Sequence, residues 1–131
     1  MEGVTYSDGT SIQYHYRADT KFLTGLTDER GIRYSTFGYD GDNRAILSQH
    51  AGGVDSYSFL YNGLGRTVTN PLGKVTEHRF EEIQGGLKVK TSDRLDSPHC
   101  GASASSYEYD VNGYEASRTD WEGNILSLIH I

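Results

Sequence analysis

The feature that most limits what this chain can fold into is a period. Six glycines close polar turns at Gly9, Gly31, Gly53, Gly73, Gly101 and Gly123, with spacings of 22, 22, 20, 28 and 22 residues. An aromatic stands seven or eight positions after each of the first five: Tyr16, Tyr39, Tyr61, Phe80 and Tyr109. Aromatics make up 11% of the sequence, so a two-position window would hold one about one time in five by accident. Five from five mark a repeat, and a period between about 20 and 50 residues belongs to arrays whose units pack on their neighbours.

The residues between the anchors say what each unit is. Ile12, Tyr14 and Tyr16 alternate with polar residues, as do Tyr57, Phe59 and Tyr61, and then Tyr107 and Tyr109. A period of two is the pattern of a half-buried strand. In one unit Ile32 and Tyr34 fall on one phase and Phe37 and Tyr39 on the other; a bulge near Phe37-Gly38 accounts for the switch. Each aromatic is followed by a polar turn: Tyr39-Asp40-Gly41-Asp42-Asn43-Arg44, Tyr61-Asn62-Gly63-Leu64-Gly65-Arg66 and Tyr109-Asp110-Val111-Asn112-Gly113-Tyr114. Asp or Asn in second place bonds backbone donors two residues on, and Gly or Asn in fifth place supplies the positive φ of a hairpin loop. Return strands are expected at Ala45-Ile46-Leu47, Thr67-Val68-Thr69 and Glu115-Ala116-Ser117. Further turns follow at Asp28 to Gly31, Asn70 to Gly73 and Asp120 to Gly123. The fold expected is all-β, a tandem array of antiparallel β-hairpins.

The same residues carry a resemblance. Tyr61-Asn62-Gly63-Leu64-Gly65-Arg66, followed by Asn70-Pro71-Leu72-Gly73, resembles the YD repeat of bacterial Rhs proteins, Tyr-Asp-x-x-Gly-Arg with a downstream Asp-x-x-Gly. Tyr39-Asp40 with Arg44 fits one substitution away, and Tyr109-Asp110 with Gly113 and Gly123 fits except that Tyr114 replaces the arginine. The Tyr16 and Phe80 units depart further, with Arg17 and Glu81 in place of the aspartate. The resemblance covers about residues 5 to 125. It implies a strip of a spiralling YD shell that encloses a C-terminal toxin domain and helps deliver it. Relatives are wall-associated YD-repeat proteins, insecticidal toxin complex C components and teneurins. The implied partners are flanking YD repeats and the enclosed toxin, with secretion machinery or glycans as further contacts, and the implied location is secreted or cell-surface. On this reading residues 1–131 are part of a longer array, Ile125 to Ile131 stop before the next anchor, and the long Gly73 to Gly101 unit carries a loop insertion at 96–106.

Composition narrows the function classes. With 18 acidic residues against 12 basic and a net charge of −6, there is no cationic cluster of the kind a nucleic-acid partner needs. No apolar run approaches the ~18–20 residues of a membrane span, and Met1-Glu2-Gly3-Val4 lacks the basic and apolar regions of a signal peptide. Cys100 is the single cysteine, which rules out a disulfide or a Cys-based zinc site within the chain.

Candidate chemistry is sparse. Asp40-x-Asp42-Asn43 has the alternating oxygens that open a calcium loop, but Ala45 and Ala51 stand where that loop needs glycine and glutamate; a hairpin turn is expected. His99-Cys100 has no partner motif for a nucleophile or ligand role, and His15, His50, His78 and His130 show no ligand spacing. No catalytic residue, cofactor or metal is expected. Arg44 and Arg66 are expected to pair with turn aspartates or to cover tyrosine rings. Exposed tyrosines that stack on sugars form the alternative, a cell-surface or cell-wall carbohydrate-binding or adhesion module.

Overall fold

The computed structural model describes residues 2–18, 20–98 and 101–128. Twelve strands lie in chain order in one sheet: β1 (Glu2–Thr5), β2 (Ser11–Tyr16), β3 (Leu23–Thr27), β4 (Arg33–Tyr39), β5 (Ala45–His50), β6 (Tyr57–Asn62), β7 (Gly65–Thr69), β8 (Val75–Ile83), β9 (Gly86–Arg94), β10 (Ser103–Tyr109), β11 (Glu115–Thr119) and β12 (Ile125–Ser127). Pairing is antiparallel, and the fold is an all-β strip of tandem hairpins. The three expected return strands fall inside β5, β7 and β11. Among the described residues the one helical element is a 3-10 turn at Ala51–Gly53, and no helix is long and apolar enough to cross a membrane.

The chain divides into two units, Met1–Phe59 and Leu60–Ile131. In the first, cross-strand pairing puts Val4, Ile12, Tyr14, Leu26, Phe37 and Tyr57 on one face. Thr5, Gln13, Thr27, Thr36 and Gln49 lie on the other. The second unit sorts its charges. Arg66, His78, Arg94 and Arg118 share one face with Ser92, Ser103, Ser105 and Tyr107, while Glu77, Arg79, Asp93 and Glu108 occupy the opposite one.

No hydrophobic side chain is buried among the described residues; Ser35, 4% exposed, is the buried polar one. With no hydrophobic side chain buried among the described residues, stability rests on ladder bonds and on cross-strand side-chain pairs, the latter contributing about 0.2–1 kcal/mol each. Consecutive hairpins therefore support one another as in other repeat arrays.

The ladder is interrupted at a recurring place. Pairing steps over Thr24 between His15 and Tyr16, over Ile46 between Gly38 and Tyr39, over Lys90 between Arg79 and Phe80, and over Ala116 between Glu108 and Tyr109. In these four hairpins a one-residue bulge on the return strand stands opposite the step into the anchor aromatic. A bulge does stand beside Gly38, at Ile46 on β5 opposite the step to Tyr39. The phase of β4 itself switches earlier, at Tyr34, the unpaired residue between Arg33 and Ser35 in the β3–β4 ladder.

The loop expected at 96–106 is shorter than its composition suggests. Ser103–Ser106 belong to β10 and pair with Thr91–Arg94, because small hydroxyl residues are accepted where a neighbouring strand offers a full ladder. The extra length of this unit goes instead into the nine-residue strands β8 and β9. Gln84 and Gly85 join them, both at positive φ (54° and 73°) as a type I′ turn requires. His99, Cys100 and His130 lie outside the described residues.

Candidate functional site

The residues singled out by the repeat lie at hairpin ends, and the turns organise them. Five turns share one bonding pattern, beginning at Asp28, Asp40, Asn70, Asp110 and Asp120. The first residue's N–H donates to the carbonyl four positions on, and the fourth residue's N–H donates back to the first carbonyl. The side-chain Oδ1 of the first residue accepts from two further backbone amides, two and four positions ahead. One carboxylate or amide oxygen thus closes a three-residue loop of a type I turn plus a left-handed residue. That left-handed place is held by Gly31, Asn43, Gly73, Gly113 and Gly123. Protonation would cost these bonds. The Arg30 side chain and backbone amides hold the Asp28 carboxyl below its ordinary range, the Arg44 amide does so for Asp40, and the Asn124 side chain for Asp120.

The Tyr61 turn departs from this pattern. Gly65, expected to supply the positive φ, is the first residue of β7. The turn is instead the two-residue Gly63-Leu64, with φ +56° at Gly63, the geometry of a type II′ turn. Asn62 ends β6 rather than closing an Asx loop.

The anchor tyrosines reach across to the preceding hairpin. Tyr39 Oη donates to the Leu23 carbonyl at 2.8 Å, and Tyr109 Oη donates to the Val89 carbonyl at 2.7 Å. Leu23 is the residue paired with Tyr16 beyond the β3 bulge, and Val89 the one paired with Phe80 beyond the β9 bulge. The acceptor is therefore the same repeat position in both hairpins: the residue opposite the previous anchor, just past the bulge. The strand-to-strand ladder slackens there, and the next unit's phenol takes the carbonyl. Burial raises the Tyr109 phenol above its ordinary pKa, which keeps it protonated as a donor.

Arginines complete the arrangement in two ways. Arg44 turns back on its own loop, with Nε 2.8 Å from Asp40 Oδ2 and Nη2 3.0 Å from Asp42 Oδ2. The carboxylates that suggested a calcium loop are thus engaged by backbone amides and a guanidinium. Arg66 takes the other role. Its guanidinium lies 5.0 Å from the Tyr61 ring centroid and 5.7 Å from that of Phe80, and its Nη1 donates to the Gly63 and Gly65 carbonyls, each at 2.7 Å. An open groove of about 350 Å³ gathers Asn62, Gly65, Arg66, His78, Phe80 and Lys90.

Two ring-covering arginines escaped the sequence reading because neither stands at the motif's arginine position. Arg17 lies 5.3 Å from Phe22 and 6.0 Å from Tyr39 and bonds the Asn43 side chain. Arg94 lies 5.1 Å from Trp121. The signal available for Arg17 was its place directly after the anchor Tyr16, where the motif carries aspartate; nothing local marks Arg94. Among the described residues no group of three or more His, Cys, Asp or Glu side chains is placed to hold a metal ion.

Compared with known proteins, the chain matches no family model and no curated protein.

Proposed function

We propose that this chain is a stretch of wall in a YD-type repeat shell, a non-catalytic segment whose work is to enclose and help deliver a toxin domain of the same polypeptide. The reading rests on the resemblance of the Tyr39, Tyr61 and Tyr109 units to the YD repeat. One observation supports it most: the anchor tyrosine of one hairpin bonds the carbonyl opposite the previous anchor at two separate places in the chain. A device that ties a hairpin to the one before it suits a strip built by extension rather than a compact body organised around a pocket. The absence of a buried apolar side chain among the described residues points the same way, since such a strip depends on pairing with flanking repeats. Those repeats and the enclosed toxin are the partners this role requires, and a secreted or cell-surface location follows from it.

Light scattering and calorimetry of the isolated chain test this role. A wall segment deprived of its neighbours gives higher oligomers or a broad, weakly cooperative transition. A monodisperse monomer with one sharp melt, calorimetric and van't Hoff enthalpies agreeing, would contradict it.

A further inference from the structure

We infer that the open groove across β9, β10 and β11 is a binding site for a carboxylate-bearing sugar, with Arg94 as the anion contact and Trp121 as the wall. The site stands apart from the shell reading, and neither Arg94 nor Trp121 is a residue that the repeat motif specifies. The groove has a volume of about 390 Å³, within the ~300–1,000 Å³ of small-ligand sites. Its floor is built from small hydroxyl side chains on one sheet face, with Ser92 opposite Ser105 and Arg94 opposite Ser103. Short side chains lower that face and present donors and acceptors that match sugar hydroxyls.

Arg94 is placed in advance for an anion. Ser103 Oγ holds its Nε at 2.9 Å, and the guanidinium lies 5.1 Å from the Trp121 ring centroid. No hydrogen bond joins its two terminal nitrogens to any described residue. A planar fork oriented at its base and on one face is suited to the bidentate grip of a carboxylate. Trp121, the single tryptophan of the chain, is 59% exposed on the rim, so ring surface remains for the apolar face of a sugar.

Charge selects the acidic class. Although the chain carries a net −6, the groove is lined by Arg94 and Arg118; Arg118 is paired with Glu115 through its Nε at 2.8 Å, which leaves Arg94 as the cation for a ligand, and the strand carboxylates Glu77, Asp93 and Glu108 lie on the opposite face. Asp120 also lines the groove, but its Oδ1 accepts the Glu122 and Asn124 amides and its Oδ2 the Asn124 side chain. A neutral sugar would give Arg94 no partner for its charge.

Titration of the intact chain with trigalacturonate, followed by the emission of Trp121 and by calorimetry, tests the site. We expect one trigalacturonate per chain, binding weakened at least tenfold in Arg94→Lys, which keeps the charge and loses the fork. Arg79→Lys, on the opposite face, should bind as the unaltered chain does. Fully methyl-esterified trigalacturonate should leave Trp121 emission unchanged. Equal binding of the ester, full affinity in Arg94→Lys, or no response to millimolar trigalacturonate would each overturn the proposal. The emission arm needs no variant, so a substitution that disturbs folding leaves it intact.

Discussion

Tyr109 and Val89 stand 20 positions apart in the chain and are joined by one hydrogen bond of 2.7 Å, phenol to backbone carbonyl. Tyr39 and Leu23 repeat the relationship 16 positions apart. Removing either hydroxyl leaves a half-buried carbonyl without its donor while the ring keeps its packing. Tyr109→Phe and Tyr39→Phe should each lower unfolding free energy by about 0.5–1.5 kcal/mol. Urea denaturation measures this directly, and Tyr57→Phe, on an exposed side chain of β6, gives the comparison that should change little.

Gly25 is buried in β3 with Arg33 laid over it, the arginine donating Nε to the Ser35 carbonyl at 3.1 Å and Nη2 to the Thr24 carbonyl at 2.8 Å. A Cβ at residue 25 would overlap both that guanidinium and the Ser35 carbonyl oxygen. Gly25→Ala should therefore cost about 1–3 kcal/mol. Removing the guanidinium does not relieve the overlap with backbone. In an Arg33→Ala background the substitution should still destabilise, as thermal melts of the two single variants and the double variant will show.

The shared turn asks for an oxygen in first place, and Asn70 shows that an amide oxygen serves as well as a carboxylate. Asp110→Asn should accordingly be near neutral. Asp110→Ala withdraws the acceptor from the Asn112 and Tyr114 amides and should cost about 1 kcal/mol. Equal effects from the two substitutions would refute the assignment of the side-chain oxygen.

Acid should loosen the strip in two stages. His15, whose ring nitrogen meets Thr27 Oγ1 at 2.8 Å, is held below its ordinary value of 6.5, first by desolvation and then by Arg33. The folded value is the lower one, so its contribution is present above pH 6.5 and is lost as pH falls through the folded value. Asp28, Asp40 and Asp120 are likewise depressed from 3.8 by the bonds their turns supply. Their contribution is present above pH 3.8 and disappears as the pH drops further. A melting-temperature profile should decline below pH 6.5 and again below pH 3.8, with the first decline absent in His15→Gln.

Much of this architecture is legible in the residue order, and for a physical reason. Strand alternation and turn chemistry act within a few residues, so Ile12-Tyr14-Tyr16, Asp40 to Arg44 and Asp110 to Gly113 declare themselves locally. The bulges do not, because a one-residue slip such as that at Ile46 depends on the partner strand. The same holds for Tyr109 with Val89, whose link runs between hairpins, and for Arg94, which meets Trp121 27 positions away in the sequence. Gly65 was misplaced because two glycines, Gly63 and Gly65, compete for the left-handed role, and the tighter two-residue turn uses the first. Ser103 to Ser106 read as loop because their composition is that of a loop; the long β9 beside them makes them strand.

The central claim is that stability passes from hairpin to neighbouring hairpin rather than through a common core. Amide hydrogen exchange on Tyr109→Phe tests it most directly. The account predicts faster exchange confined to β8 through β11, with β1 through β5 unchanged; a uniform acceleration over all twelve strands would contradict it.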